Sequence, residues 1–566
     1  MNPEPTNQIV ETVLTQASLH LSPDDPTVPP GESSGPHADI VGLTMDDAAR
    51  LMADGAITSE SLTRKYLDRI AALDASGPCV RSVLEVNADA LAIAVALDAE
   101  RAAGNVRGRL HGVPVLVKDN IDTADSMHTT AGSLALMNST PAQDATVVAR
   151  LRDAGAVILG KANLSEWANM RGFQSSSGWS GRGGATRNPH SLVRNPSGSS
   201  SGSAAAVAAD LATVALGTET NGSIICPASV CGVVGFKPTV GLTSRAGVIP
   251  ISHSQDSVGI MAKSVAEVAA VLTCLTGVDE RDAATGINPS IMDTDFLAYL
   301  HVDALQGVRL GVPRNMGFTG YSHKADVVFY AALDVLRALG AEIVTDFDIP
   351  SGDELQQRPG AFERMVYEFK GDLNAYLAGR GDPEFATLGD VIAFNNTHAD
   401  EELRYFGQDV MEKSQATSDD DAEEMRELDL RLQRLSREEG IDAVLREHRL
   451  DALVAPSMPP AMMTDLANGE KFMGAASNLA AIAGYPIITV PAGLAHAMPV
   501  GISFIGTAWS DASILSLAYA WEQATQMYRS PTFYAGDIVA DPGTPQFELP
   551  TIAINHPAAA QSGADE

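Results

Sequence analysis

The apolar positions of this chain follow two patterns, a helical period and short uninterrupted runs. Apolar residues recur every three or four positions after Thr44 and again after Thr58 or Ser59, which predicts two helices with hydroxyl N-caps, and a third helix is predicted over 146–154. Short uninterrupted apolar runs predict buried strands at 113–117, 156–159, 233–236, 452–456 and 487–491. Strands that alternate with helices indicate an α/β fold whose sheet is covered by helices on both faces.

Three segments depart from this alternation. Residues 360–450 have a mostly helical pattern and a strongly acidic composition, so we expect a helical excursion over the core whose acidic run is a solvated face. Residues 1–38 are rich in proline, serine, glycine and acidic residues, and residues 541–566 are rich in proline, alanine and glycine. We therefore predict a flexible N-terminal arm and a flexible C-terminal tail around a folded domain at 39–540.

The composition narrows the classes of partner. The chain has 566 residues and a formal net charge of −33, which disfavours nucleic acid and anionic membrane surfaces. The N-terminus lacks a basic segment followed by an apolar one, and no run of about 18 apolar residues occurs, so we expect a soluble cytoplasmic protein without a membrane span. Cys226 and Cys231 form one close pair, but no second pair stands at zinc-ligand spacing. We expect neither a metal nor a cofactor.

Two turns rich in glycine and serine flank a run of small residues at 204–209, which favours a tightly buried helix. Ser199 lies in the first turn and Ser223 in the second. At the second turn, the backbone N–H groups of Asn221, Gly222 and Ser223 can point at one spot. Such a nest of donors stabilises an oxyanion.

A candidate base lies far upstream of the serines. The apolar run at 113–117 ends in Lys118, and Asp119 and Asn120 then form a turn at the edge of the predicted strand. Burial lowers the pKa of a lysine, and a neutral lysine is a base. Two turn serines and a buried lysine indicate a hydrolase that needs no histidine.

Two other motif matches are less specific. Residues 155–161 nearly match a P-loop, but the middle of the match is a strand pattern, and Ala162 stands where a Mg²⁺-binding hydroxyl is required. Lys161 is therefore interpreted as structural. Residues 198–202 fit G-x-S-x-G, which would make Ser200 the nucleophile, but no downstream histidine has a recognisable context for that mechanism.

Together these segments resemble the amidase signature family. The matching segments are HGVPVLVKDNID (111–122), LGKANLSEW (159–167), GSSSGSAAAVAA (198–209), GTETNGSIICPASVCGVVGFKPT (217–239), VAPSMPP (454–460) and MPVGISFIG (498–506). Their order and spacing hold over residues 40–530, which makes a chance match implausible.

The resemblance implies a fold and a catalytic triad. The fold is a single α/β/α domain with a mixed central sheet covered by helices on both faces. In the triad, Lys118 is the base, Ser199 the bridging serine and Ser223 the nucleophile, and the peptide bond between Gly198 and Ser199 is cis. The backbone N–H groups of Thr220 and of the residues that follow it bind the oxyanion.

The resemblance also bears on the substrate. Residues 163–172, 177–189 and 217–223 look most like bacterial peptide amidases, and by family analogy Phe173 and Ser175 line the acyl pocket. The chain departs from the family in two places. It has Ser-Gly where Gly-Gly usually precedes the first catalytic serine, and Glu-Thr-Asn-Gly-Ser where Asp-Thr-Gly-Gly-Ser is frequent. These changes bear on pocket shape and specificity.

We therefore predict a cofactor-free serine amidohydrolase that acts on carboxamides through an acyl-enzyme, with the C-terminal amide of peptides as substrate. One alternative is a general aliphatic or aryl amidase. A second is the glutamine-amidase subunit of a tRNA amidotransferase, which the acidic charge disfavours and which co-purification with partner subunits would identify. A third is a binding protein without activity, which a complete triad disfavours. The sequence leaves the acyl group and the oligomeric state open.

Overall fold

The computed structural model of the protein describes residues 37–357 and 360–553. The predicted flexible arm lies outside the described residues except for its last two positions. The predicted tail lies outside them from residue 554 onward.

A large mixed sheet organises the described part of the chain. The strands are β1 (Val83–Val86), β2 (Pro114–Lys118), β3 (Val157–Ala162), β4 (Trp179–Ser180), β5 (Gly184–Ala185), β6 (Val214–Glu219), β7 (Val234–Lys237), β8 (Ser257–Ala262), β9 (Arg309–Gly311), β10 (Glu342–Val344), β11 (Ala452–Pro456), β12 (Ile487–Ala495), β13 (Met498–Ile505) and β14 (Phe547–Glu548). Within the described residues, 12 strands form one sheet in the order β1-β3-β2-β6-β8-β7-β12-β13-β11-β9-β10, with β14 beside β12. Strands β4 and β5 pair separately.

Helices precede, connect and follow these strands. They are α1 (Met45–Ala53), α2 (Ser59–Arg69), α3 (Ala90–Ala102), α4 (Thr146–Asp153), α5 (Ser201–Ala208), α6 (Ile225–Cys231), α7 (Val265–Leu275), α8 (His323–Ala338), α9 (Gly352–Gln357), α10 (Ala361–Arg380), α11 (Leu388–Thr397), α12 (Ala399–Glu402), α13 (Asp409–Gln415), α14 (Ala422–Ser436), α15 (Asp442–Glu447), α16 (Ser477–Ala483) and α17 (Asp511–Thr525). The predicted α/β class with a mixed central sheet is confirmed.

The helix N-caps that the sequence predicted are present. Thr44 caps α1 by accepting the N–H of Asp47, and Thr58 caps α2 in a capping box with Ser61. The strand predicted at 452–456 is β11, and the helical excursion is built from α10 to α15. None of the helices among the described residues combines the length and apolarity that crossing a bilayer requires.

The C-terminal boundary differs from the prediction. Strand β14 pairs with the end of β12, where Glu548 lies opposite Leu494 and Phe547 opposite Ala495. The N–H of Ala553 also donates to the carbonyl of Ala524 at 2.7 Å. The folded domain therefore extends beyond residue 540, because ladder pairing with a distant strand orders a segment whose own composition is typical of a loose tail.

Neighbouring strands bring the candidate site together at one edge. Strands β2 and β6 are parallel, with Val117 opposite Leu216, so both run toward the same edge of the sheet. Helix α5 packs on β2, β3, β6 and β8, and every one of its residues is buried. Its small side chains allow that close approach, which places the turn before α5 beside the end of β2.

Candidate active site

Lys118 is wholly buried at the end of β2. Its Nζ lies 2.7 Å from Oγ of Ser199, 2.9 Å from Oγ1 of Thr218 and 3.2 Å from the carbonyl oxygen of Thr218. A carbonyl can only accept, so a neutral amine can donate toward Thr218 and turn its lone pair to the Ser199 hydroxyl. The predicted proximity of Lys118 and Ser199 is therefore present in the geometry.

The electrostatics of this position suit a base. Burial lowers the pKa of Lys118 to about 7, and the carboxylates of Asp256 and Glu219 offset part of that shift. About half of the lysine is then neutral near pH 7, whereas an exposed lysine is almost wholly protonated there.

The first serine turn is fixed by its neighbours. The peptide bond between Gly198 and Ser199 is cis, as predicted. The carbonyl of Ser199 accepts the N–H of Ser165 at 3.0 Å, and Ser165 Oγ accepts the N–H of Gly178 at 3.0 Å. The N–H of Ser200 donates to the carbonyl of Ser223 at 3.0 Å, which ties the two serine turns together. Among the described residues, however, no direct hydrogen bond joins the hydroxyls of Ser199 and Ser223.

The second turn exposes a row of backbone donors. Gly222 has φ +83°, and a Cβ there would stand 2.9 Å from both Cys226 Sγ and Ser477 Oγ, so the position requires glycine. Oε2 of Glu219 accepts the N–H groups of the two residues after Ser223, at 2.7 and 2.9 Å. No described residue accepts the N–H groups of Asn221, Gly222 or Ser223. The predicted nest is thus available to a ligand's oxygen.

Side chains brace this turn from two sides. The amide of Asn221 donates to Asn478 at 2.8 Å and accepts from Ser477 at 3.1 Å, both from α16. The hydroxyl of Thr220 donates to Asp256 at 2.5 Å. The side chain of Thr220 therefore supports the turn, its carbonyl accepts from Gln255 at 3.0 Å, and its backbone N–H remains the group that can serve a substrate.

A cleft with a volume of about 340 Å³ opens above the nucleophile candidate. Ser223, Asn221 and Thr220 line it together with both predicted wall residues, Phe173 and Ser175. The remaining described lining residues are Ala168, Asn169, Met170, Gly172, Ser177, Ser197, Gly198, Cys226, Ile251, Phe362, Met365, Val410, Glu470 and Phe472. Five of the predicted site residues therefore line one cleft, whereas Lys118, Ser199 and Gly222 are not among its lining residues.

Several of these lining residues were not predicted from the sequence. Phe362, Met365 and Val410 come from the helical excursion, which the sequence indicated only as a cover. The ring of Phe362 lies 5.3 Å from that of Phe173. Glu470 and Phe472 come from the loop before α16, for which no sequence signal pointed to the site. The helical excursion and this loop therefore shape the cleft.

Ser200 and Lys161, the key residues of the two less specific motif matches, are not among the residues that line the cleft. Ser200 is wholly buried, and its hydroxyl donates to the carbonyl of Thr218 at 3.0 Å. Lys161 is buried in β3, where its Nζ donates to Thr129 at 2.8 Å and to the carbonyl of Ile121 at 2.5 Å. Both side chains hold neighbouring segments together.

One group of potential metal ligands occurs among the described residues. A nitrogen of His253 and carboxylate oxygens of Glu368 and Asp372 lie within 4.8 Å of one another. The imidazole already bonds to Asp372 at 2.9 Å, and Glu368 already accepts from Ser254 at 2.9 Å. None of these residues lines the cleft.

Comparison with known proteins gives one consistent family. The family model described as Amidase matches residues 61–515. A probable amidase from Arabidopsis thaliana is 41% identical over 503 residues, which cover 88% of this chain and 92% of that protein.

Two solved structures are also similar. The native peptide amidase from Stenotrophomonas maltophilia is 46% identical, with a TM-score of 0.82 over 87% of this chain and 99% of that one. A peptide amidase in complex with the competitive inhibitor chymostatin has the same identity and coverage and a TM-score of 0.84.

Proposed function

The chain belongs to the amidase signature family, a family of amide hydrolases, and on that premise we propose that it hydrolyses the C-terminal carboxamide of peptides to the free acid and ammonia. The observation that carries this proposal is the likeness, over nearly the whole length of both chains, to solved peptide amidases. One of those proteins binds chymostatin as a competitive inhibitor.

In the proposed mechanism, proton transfer starts at the lysine. The neutral amine of Lys118 takes the hydroxyl proton of Ser199, while Ser199 takes the hydroxyl proton of Ser223. The oxygen of Ser223 then forms a bond to the carboxamide carbon, and the carbonyl electron pair moves onto oxygen. The 2.7 Å distance from Nζ to Ser199 Oγ supports the first transfer.

The oxyanion and the leaving group follow from the same geometry. The N–H groups of residues 221–223 donate to the oxyanion, and loss of one such donor typically costs about 3 kcal/mol in the transition state. When the C–N bond breaks, the proton returns from Lys118 through Ser199 to the leaving nitrogen, which departs as ammonia. Water then attacks the acyl-enzyme by the same proton route and releases the acid.

The cleft supports a peptide as the acyl group. The hydroxyl groups of Ser175 and Ser177 can pair with the C=O and N–H groups of an extended chain, which gives tolerance of many side chains. The helical excursion contributes Phe362, Met365 and Val410 to the same cleft. A cleft covered in this way favours a chain end over a through-running backbone.

The test compares an amidated dipeptide with its free-acid and N-methylamide forms by ammonia release and product mass. We expect ammonia and the free acid from the amide, with internal peptide bonds intact, and no ammonia from a Ser223→Ala variant. A parallel panel contains aliphatic amides, aryl amides and glutamine. Faster turnover of any of these than of every peptide amide would contradict the proposal and identify the alternative amidase class.

A further inference from the structure

The charge of the cleft is concentrated in one side chain. Of the described residues that line it, Glu470 alone has an ordinarily acidic or basic group. The others are apolar, hydroxyl, amide or glycine residues and one thiol, and burial raises the pKa of that thiol, Cys226, so that it is neutral. A ligand in the cleft therefore meets one carboxyl group and no fixed cation of the lining.

The carboxyl group of Glu470 is anchored next to the reaction centre. Its Oε2 accepts the N–H of Ser177 at 2.6 Å. The side chain of Ser177 in turn stands 3.1 Å from where a Cβ of Gly198 would lie, beside Ser199. Glu470 is thus tied to the wall of the first serine turn.

The carboxyl group of Glu470 can still accept from a ligand. Among the described residues, only Ser177 donates to it, and the N–H of Ser177 binds Oε2. Burial raises the pKa of Glu470, the hydrogen bonds from the side chain and the backbone N–H of Ser177 oppose that rise, and no cationic side chain contributes to the shift. A desolvated carboxylate without a counter-charge gains most when a cation arrives and resists a second carboxylate.

We propose that Glu470 is a specificity residue that makes the cleft prefer peptide amides with a cationic side chain near the scissile amide and disfavour those with an anionic one. The proposal rests on the proposed function, since it assigns a substrate class to the same site. The side chain concerned belongs to the residue that bears the amide or to the one before it, because Glu470 is held beside the first serine turn.

The experiment uses two series of acetylated dipeptide amides, with Lys, Gln or Glu at the C-terminal or the preceding position. In the wild type we expect kcat/KM for Lys to exceed that for Glu by about tenfold or more in at least one series, the ratio that roughly 1.4 kcal/mol of charge interaction produces. In Glu470→Gln, which keeps an acceptor for Ser177, the ratio should fall to within about threefold of unity. Turnover of the Gln substrates serves as the uncharged reference in both proteins.

A matched control separates Glu470 from the acidic surface. Glu424 is exposed on α14, and Glu424→Gln makes the same chemical change and the same change in net charge. This variant should keep the wild-type ratio. A ratio that is the same in Glu470→Gln and the wild type, or a wild-type preference for Glu substrates, overturns the proposal.

A measurement on the wild type alone guards against misfolding of the variant. Surface charges are screened at 0.5 M NaCl, whereas a contact inside the cleft is screened much less. The Lys-to-Glu ratio should therefore persist within about threefold between 0.02 and 0.5 M NaCl, and its loss would assign the preference to the surface. Hydrolysis of peptide amides without any charge preference overturns only this inference, while hydrolysis of no peptide amide overturns the proposed function as well.

Discussion

Replacement of Thr218 by valine should move the acid limb of the pH–rate profile to lower pH. Thr218 offers two oxygens to Nζ of Lys118, a hydroxyl at 2.9 Å and a carbonyl at 3.2 Å. Valine has nearly the same shape and removes only the hydroxyl. The ammonium form of Lys118 then loses an acceptor, and loss of a hydrogen bond to the charged form lowers the pKa of a lysine.

The magnitude follows from the strength of that bond. With the pKa of Lys118 at about 7, the neutral fraction is about 9% at pH 6 and about 91% at pH 8, so activity falls as the pH falls through 7. A hydrogen bond to a charged group contributes about 1.5–3 kcal/mol and one to a neutral group about 1 kcal/mol, so the difference of about 0.5–2 kcal/mol corresponds to about 0.4–1.5 pKa units. The acid limb of Thr218→Val should therefore lie near pH 5.5 to 6.5, by the same estimate.

The pH-independent rate above the acid limb should also fall in Thr218→Val. The hydroxyl of Thr218 also helps to turn the lone pair of Lys118 toward Ser199, and a misplaced base loses roughly tenfold or more in rate. A purely structural defect would lower the plateau but leave the limb near pH 7. Thr218→Ser, which keeps the hydroxyl, should restore both.

The assay is kcat/KM for an amidated dipeptide from pH 5 to 9. Thr213→Val is a matched control, because Thr213 directly precedes β6 and donates from a buried hydroxyl to the carbonyl of Pro114 at 2.9 Å, remote from the lysine. The free energy of unfolding of Thr213→Val, measured in urea, should fall by about as much as that of Thr218→Val, while the acid limb of its pH–rate profile stays near pH 7. An acid limb that is unmoved or raised in Thr218→Val would refute the assignment of Lys118 as the base.

Three further results are expected. Lys118→Arg should lose ammonia-releasing activity by more than about a thousandfold, because guanidinium keeps its proton at working pH, and substantial residual activity would contradict a lysine base. Ser223→Ala should abolish labelling by a fluorophosphonate in intact-protein mass spectrometry, whereas Ser200→Ala should still be labelled; the reverse pattern would make Ser200 the nucleophile. Exhaustive chelation should leave activity unchanged, and activity that is lost and then restored by zinc would overturn the metal-free mechanism.

The elements that the sequence predicted well are those with local causes. The strand at 452–456 appears at its predicted bounds, since an apolar run between polar residues is itself the signal for a buried strand. The strand predicted at 487–491 continues to Ala495, because its last residues pair with Met498 and with β14. That extension depends on partner strands, which the local pattern does not contain.

The residues of the candidate site also differ in whether the local sequence signals their role. The turn glycine at 222 and the lysine at the end of β2 carry local signals, and the family resemblance joined them. Thr218 carried none, because its contact with Lys118 follows from β2 lying parallel to β6, a neighbour relation that one sequence does not reveal. Glu470 also had no local signal, because it reaches the cleft from a loop that lies 293 positions after its partner Ser177.

One of the two departures from the family pattern concerns the supports of the second turn. Glu219 stands where aspartate is frequent. One oxygen of its longer side chain accepts two backbone N–H groups at the start of α6. The other oxygen is buried and has no hydrogen-bond partner among the described residues. Asn221 stands where glycine is frequent and ties the turn to α16 through Ser477. Neither residue is among the described hydrogen-bond partners of Nζ of Lys118 or of the hydroxyl of Ser199. Differences in substrate choice from other family members should therefore arise from how the turn is braced and from the cleft walls around it, with the contact between lysine and serine retained.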